Sequence, residues 1–166
     1  MVGGFNGTLG QRVSVHGPHT FDSGAQANMT GDWGVLRGLV RKCHVSVHGI
    51  DPEGGTLVAT GFANHAIAGG GGAGNLHLHR VFYVPGLQRT LISLSSLVDS
   101  GHVCTLDKVG GVNQLTVSTN GVDVLLVRVS SGLYQIPSPC PYPAGAGSAY
   151  WLGSVEVTHS LLGFVS

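Results

Sequence analysis

The chain has 166 residues, enough for one domain with a substantial core but too few for two large lobes. Lys plus Arg number eight and Asp plus Glu also eight, so the formal net charge is zero. The basic surplus that nucleic-acid binding normally needs is therefore missing. Glycine is abundant at 28 residues, and only 10% of residues are charged. Together with the many Val, Thr and Ser residues, this composition predicts an all-β fold with no direct nucleic-acid partner.

The cysteines and the apolar segments bear on where such a chain resides. Cys43, Cys104 and Cys140 are widely separated and odd in number, which favours free thiols over a disulfide framework or a metal site. No segment approaches the roughly 18 apolar residues of a membrane span, and the N-terminus lacks a basic stretch followed by an apolar run. We expect a cytoplasmic protein with no membrane partner. Balanced charge with positive mean hydropathy also favours self-association.

Strand and turn signals dominate the first half of the chain. Residues 1–18 are poorly patterned apart from an alternating run at 12–16, and a second short strand is predicted at 19–22. Two alternating runs, 44–48 and 56–60, flank a connector rich in Gly and Pro, which predicts a projecting β-hairpin. Further along, the glycine run from Gly69 to Gly74 predicts a loop, and residues 76–84 read as a strand that ends at Pro85-Gly86.

One helix is predicted in the second half, at about residues 91–99. Thr90 is a candidate N-cap, leucines follow at helical spacing, and Gly101 stands where a C-terminal glycine belongs. Strands are predicted at 103–106, 114–118 and 122–129, of which the last two are joined by Asn120-Gly121, a strong hairpin signal. A short strand at 132–136 closes the pattern.

These elements predict three segments. A poorly patterned N-terminal segment, 1–18, precedes one β-barrel domain at 19–137, and a Pro/Gly-rich linker and tail follow at 138–166. The tail from Tyr150 onward has apolar residues but no partner within its own segment, so we expect it to be poorly ordered or an added end.

Asp22 is the carboxylate that most needs explaining, because acidic residues are scarce and this one follows Phe21 in an Asp-Ser-Gly-Ala turn. A carboxylate is costly to desolvate, so it is paired, hydrogen-bonded or functional. One interpretation is a turn-capping aspartate, since Asp-Ser-Gly is common in loops. The other is a catalytic carboxylate. Asp99 begins a second Asp-Ser-Gly, but it ends the predicted helix, which is the wrong context for a catalytic turn.

The other polar residues that attract attention have plainer explanations. His77 and His79 would share a face of one strand, and His44 and His48 lie close in sequence, but no cluster of three or four metal ligands can be placed. We interpret these histidines as partly exposed, and expect no metal and no cofactor. The glycine run lacks the Gly-Lys-[Ser/Thr] ending of a phosphate-binding loop. Asp32, Asp51 and Asp99 are interpreted as turn or loop residues.

Several motifs then occur in a recognisable order: D-S-G-A, M-T-G-D, V-F-Y-V-P-G-L-Q-R-T-L-I-S-L-S-S-L-V-D-S-G-H and G-L-Y. With these motifs in this order, the chain resembles the protease region of Copia-type retrotransposon Gag-Pol polyproteins over roughly residues 20–136. That region is a retropepsin-like aspartic protease. The resemblance implies a small closed retropepsin-like β-barrel that forms a homodimer. It also implies an aspartic-type endopeptidase that hydrolyses peptide bonds of a polyprotein, its polypeptide substrate, through a pair of Asp residues, one from each protomer.

The resemblance also implies roles for individual residues. Asp22 would be catalytic, sharing a proton with its symmetry mate. The active-site turn would be supported by Ser23, Gly24 and Ala25, and by the segment Leu91-Ile92-Ser93. The hairpin would form a flap over the substrate, with Gly49, Gly54 and Gly55 near its tip.

Two departures from the family pattern keep a second hypothesis open. Asn28 stands where the family commonly has His, and the Gly69–Gly74 run looks like an insertion. The alternative is a catalytically inactive transposon-relic β-barrel that acts as a structural or interaction module.

Overall fold

The computed structural model describes residues 17–49, 53–69, 74–129, 133–136 and 147–151. Apart from a 3-10 turn at Trp33–Val35 and one short α-helix, the elements of these residues are strands. In chain order they are β1 His19–Asp22, β2 Met29–Thr30, β3 Arg37–Val47, β4 Leu57–Ala68, β5 Asn75–Tyr83, β6 Thr90–Ser93, α1 Leu94–Asp99, β7 Val103–Val109, β8 Val112–Thr119, β9 Val122–Val129, β10 Tyr134–Ile136 and β11 Ala149–Trp151.

The strands form two sheets, an eight-stranded sheet in the order β10-β1-β6-β2-β5-β4-β3-β11 and a three-stranded sheet in the order β7-β8-β9. The predicted all-β class is confirmed, and the long sheet is barrel-like. Neither sheet is closed among the described strands, because β10 and β11 end the long sheet without pairing with each other. The barrel-like fold therefore agrees with the prediction, without closure of the sheet among the described strands.

Two apolar clusters hold the fold together. The larger joins the two sheets, with Leu115, Val117, Leu125 and Val127 of the small sheet in the same cluster as core residues of the large one, including Ile92. The smaller cluster gathers Met29, Ala59, Val84, Leu87 and Leu91. Burial of this apolar surface is the main favourable contribution to folding.

The predicted hairpins are confirmed. β3 and β4 pair antiparallel, and each extends beyond the alternating run seen in the sequence. β8 and β9 also pair antiparallel, and the turn between them places Asn120 at φ 53° and Gly121 at φ 79°. Two successive left-handed residues are what the tight hairpin turn requires, and Asn-Gly adopts them at low cost.

The predicted helix is shorter than expected, because its first part is a strand. Thr90–Ser93 forms β6, which pairs parallel with β1 and antiparallel with β2. The helix is Leu94–Asp99, and Ser93, not Thr90, caps it by accepting from the Ser96 backbone N–H. All four residues of β6 are buried, so an interior position in the sheet outweighed the helical spacing of the leucines.

Residues 149–151, a described part of the predicted linker and tail, have a partner in the fold. Ala149–Trp151 pairs parallel with Gly38, Leu39 and Val40 of β3, and Trp151 packs against Trp33 with ring centroids 4.9 Å apart. Tertiary pairing with a segment far away in sequence explains why the tail alone gave no sign of it. The predicted strand at 12–16 and most of the predicted linker and tail lie outside the described residues, and the proposed domain boundaries stay a prediction.

Candidate functional site

The Asp-Ser-Gly-Ala turn lies at the end of β1. Asp22 is the last residue of the strand and is half-buried, whereas Ser23 and Gly24 are exposed. The Asp22 Oδ1 accepts a hydrogen bond of 2.7 Å from the Gly24 backbone N–H. A Cβ at Gly24 would lie 3.3 Å from the same oxygen, so the absence of a side chain leaves this carboxylate uncrowded.

A buried polar network supports the turn from β6. The Ser93 Oγ donates to the Ala25 carbonyl at 2.7 Å and also accepts from the Ser96 N–H at the start of α1. The Ser93 backbone N–H donates to the Asn28 Oδ1 at 2.8 Å. Asn28 and Ser93 are both buried. The side chains of Ser93 and Asn28 therefore make two hydrogen bonds that connect the turn region to the neighbouring strand β6.

A cavity of about 640 Å³ opens between this turn and the end of the β3–β4 hairpin. Four residues of the predicted site, Asp22, Gly24, Ala25 and Gly49, line it. Ser23, Gly54 and Gly55 are described but do not line it, and residues 50–52 at the tip of the predicted flap lie outside the described residues. The remaining lining residues are Gln26, Ala27, Met29, Val45, Ser46, Val47, His48, Ala59, Phe82 and Leu91.

The floor of the cavity is one face of the large sheet, as the strand register shows. Leu91 pairs with Met29, Met29 with Phe82, and Phe82 with Phe62. Directly paired residues point to the same side of a sheet. We call this side the groove face, and Asp22 stands at one end of it.

The opposite side of the same strands, which we call the core face, carries a buried polar layer that the sequence did not reveal. The Thr30 and Thr90 hydroxyls are 2.7 Å apart, and the Thr30 Oγ1 accepts from the Asp32 N–H at 3.0 Å. Asp32 is only 4% exposed, and its Oδ1 accepts from the Gly34 N–H at 2.8 Å. Asp32 is thus a structural cap of the 3-10 turn.

A histidine pair completes this buried layer. The Nε2 atoms of His19 and His65 are 2.8 Å apart, so one ring donates and the other accepts. Both side chains are buried. Burial lowers the pKa of His19 to about 4, against an opposing effect of Asp32. Burial also holds the pKa of His65 well below its usual value, helped by His19 and Arg37.

Only the alternation of His19 with Thr20 and Phe21 hinted that a histidine faces the core. The partners of the pair are 46 residues apart, beyond the reach of any local pattern. Partial exposure is expected for four other histidines, and all four are exposed: His44, His48, His77 and His79.

Three other expectations concern the cysteines, metal binding and membrane-spanning segments. Cys43 and Cys104 are free thiols as predicted, and burial raises the pKa of each. Cys140 lies outside the described residues. In the described ranges, no group of three or more His, Cys, Asp or Glu side chains is placed to hold a metal ion. The described helix is also too short to cross a membrane.

The chain matches a known protein family. A family model described as "Pol polyprotein, beta-barrel domain" matches residues 19–102, half of the chain. The chain belongs to this family. In this Pol polyprotein β-barrel domain the matched region runs from β1 to just beyond α1, and so includes the Asp22 turn, the hairpin and the Asn28–Ser93 network. No curated protein and no solved structure matches the chain.

Proposed function

We propose that this Pol polyprotein β-barrel domain is an aspartic endopeptidase of the Copia type, which hydrolyses peptide bonds of its polyprotein as a homodimer. One observation carries the proposal: the Asp22 carboxylate lies in the wall of a cavity of about 640 Å³ beneath the end of a β-hairpin. The lining combines this carboxylate with small and apolar side chains such as Ala27, Met29 and Val47. Such a lining suits the side chains of an extended peptide.

Hydrolysis by this route needs two carboxylates, and the described residues of one chain offer one in a suitable turn. Asp99, in the second Asp-Ser-Gly, is the exposed last residue of α1. A second copy of the chain would therefore supply the other Asp22. The exposure of Ser23 and Gly24 leaves the turn accessible to that copy.

In the proposed mechanism the two Asp22 carboxyls share one proton, since two like charges at close range cannot both ionise easily. The ionised member takes a proton from water as the water attacks the peptide carbonyl carbon. The protonated member donates to the carbonyl oxygen, which gives a gem-diol. The carboxyl that took the proton from water then donates it to the peptide nitrogen as the C–N bond breaks, and the other carboxylate takes a proton from a gem-diol hydroxyl, so the amine leaves and the pair again shares one proton. The bond from Gly24 to Oδ1 and the Ser93 bond to Ala25 keep each turn fixed while protons move.

Cleavage of a recombinant fragment of the parent polyprotein, and of a random peptide library, at mildly acidic pH tests this proposal. We expect the wild type to cut and Asp22→Asn to lose at least about a thousandfold in rate. Asp99→Asn is the matched control, because it changes the same residue type in the same three-letter motif and should cut normally. The Asn at position 22 can still accept from Gly24, so the variant should fold.

Sharing of the site has its own test. When wild type is mixed with increasing Asp22→Asn protein and allowed to exchange, activity should fall with the square of the wild-type fraction, because only wild-type homodimers hold two carboxylates. A linear fall would mean that each chain is active alone. Cleavage that survives in Asp22→Asn, or a folded wild type that cuts nothing, would contradict the proposal as a whole.

A further inference from the structure

Arg80 on β5 has an unusual backbone for a long side chain. Its φ is 58°, in the left-handed region that residues other than Gly, Asn and Asp seldom adopt. The register of β4 against β5 shifts close by, between Ala63 and His65. The Arg80 guanidinium carbon lies 5.3 Å from the centroid of the Phe62 ring and 5.8 Å from that of Phe82. Backbone strain of this kind is often retained at functional sites.

Arg80 stands beside the groove. Phe82, one of the two rings beneath its guanidinium, lines the cavity that also contains Asp22. Arg41 pairs directly with Phe62, and Phe62 with Phe82, so Arg41 lies on the same groove face. Arg80 also acts on the pKa of Cys43 on β3, which it lowers against the effect of burial. Neither arginine lines the cavity itself, but both lie beside the Phe62–Phe82 pair, on the side of the sheet that forms the cavity floor.

The charge of these arginines is not balanced locally. Strands β3, β4 and β5 contain no Asp or Glu, and on their groove face they carry Arg41 and Arg80. Lys42 pairs with Gly61 on the core face, and the Arg37 guanidinium donates to the Gly34 and Leu36 carbonyls. Arg41 and Arg80 are exposed, and neither bonds to an acidic side chain in the described part of the chain. Although the net charge of the whole chain is zero, the groove face beside Phe62 and Phe82 therefore carries two positive charges.

We propose that the groove selects extended peptides with an acidic residue, whose carboxylate binds Arg80 and Arg41 on the Phe62–Phe82 platform. The inference rests on the proposed function, since it names the substrate of the same groove. A carboxylate suits the fork of N–H donors on a guanidinium. A peptide fits better than a single-stranded nucleic acid, because the rest of the groove is lined mainly by small and apolar side chains, whereas a nucleic acid needs cations along its path.

Binding, measured separately from cleavage, tests the inference. Fluorescein-labelled octapeptide pools with Glu or Gln fixed at each position in turn would be titrated by fluorescence anisotropy against the Asp22→Asn protein, which should bind but not cut. We expect Glu to bind about fivefold more tightly than Gln at one or two adjacent positions, the scale of a partly exposed ion pair. Adding Arg80→Asn should abolish that preference. Asn tolerates the left-handed backbone, so the change removes the charge without adding strain.

The controls separate the possible outcomes. Arg128→Gln, which removes an exposed arginine of the small sheet, should leave the preference for Glu unchanged. The inference is overturned by equal binding of Glu and Gln pools, by a preference that persists in Arg80→Asn, or by the absence of peptide binding. The inference is also overturned if a ten-nucleotide oligothymidylate displaces the peptide and if binding of this oligonucleotide requires Arg80. A preference for Glu without any cleavage by the wild type would refute the proposed function but leave the inference standing.

Discussion

The two faces of the large sheet treat polar groups in opposite ways. On the groove face, Asp22 is half-buried and lines an open cavity, and Arg41 and Arg80 are exposed. On the core face, His19, His65 and Asp32 are withdrawn from water to 4% exposure or less. Polar groups on the groove face remain available for ligands, whereas those on the core face are enclosed by the protein. Substitutions on the core face should therefore change stability most, and substitutions on the groove face should change binding and rate most.

The largest change in folding stability should come from acid, which acts on the His19–His65 pair. The pKa of His19 is lowered from 6.5 to about 4 by burial, so between these values the unfolded chain binds a proton that the folded chain does not. Stability is full above about pH 6.5 and falls as the pH drops towards 4, by about 3 kcal/mol from His19. Urea denaturation at a series of pH values measures the loss.

The His19→Gln variant should flatten that pH dependence, and His77→Gln, at an exposed position, should not. If His19→Gln loses stability with acid as steeply as the wild type, the pair does not govern the acid response. The same titration sets the lower pH limit for the cleavage assay, because rate lost to unfolding must not be attributed to the Asp22 carboxyls.

A smaller effect should follow from adding one methyl group to the core face. A Cβ at Gly61 would lie 2.7 Å from the Trp151 ring, 2.9 Å from Val40 Cγ1 and 3.0 Å from the Arg41 carbonyl. Gly61→Ala should therefore cost about 2 kcal/mol through overpacking, and it should loosen β11. A red shift of tryptophan fluorescence together with a lower urea midpoint measures both consequences.

Gly147→Ala is the matched control for that substitution, because nothing lies within 4 Å of the added Cβ. Its stability should stay within about 0.5 kcal/mol of the wild type. Equal stability of Gly61→Ala and wild type would mean that Trp151 does not pack over Gly61.

The smallest effect on stability should come from Ser93→Ala, at the groove face. The variant loses the bond to the Ala25 carbonyl and the side-chain cap of α1, at a cost of about 1 kcal/mol. Relative to this small loss of stability, the loss of cleavage rate should be larger, because the turn that carries Asp22 loses a support. Ser100→Ala, at an exposed position, is the control for both measurements. A Ser93→Ala protein that cuts normally would show that this bond does not position the turn.

Local patterns predicted the parts of the fold that local interactions decide. Alternation and turn chemistry identified the β3–β4 hairpin and the β8–β9 hairpin, since Asn120-Gly121 alone specifies a tight turn. The Asp22 turn was also readable, because Asp, Ser and Gly stand together. The support from Leu91-Ile92-Ser93 came from the family resemblance alone, because no local pattern connects Ser93 with Ala25, 68 positions away.

The features that the sequence did not predict have one physical cause, which is pairing between segments that are distant in sequence. The leucines from Leu91 onward fit a helix, yet Thr90–Ser93 became a strand because β1 and β2 flank it. Tyr150 and Trp151 found a partner in β3, more than a hundred positions away. The His19–His65 contact likewise depends on β1 and β4 coming together, which no window of sequence contains.

The docking of β11 on β3 has a consequence for biosynthesis. A ribosome adds roughly 5 to 20 residues per second, so the β3 edge is made several seconds before Ala149–Trp151 leave the exit tunnel. During that interval the edge is open to pairing with neighbouring nascent chains, and Gly61 lacks the indole that later covers it. Synthesis at low temperature or with co-expressed chaperones should raise the soluble yield more for Gly61→Ala than for the wild type.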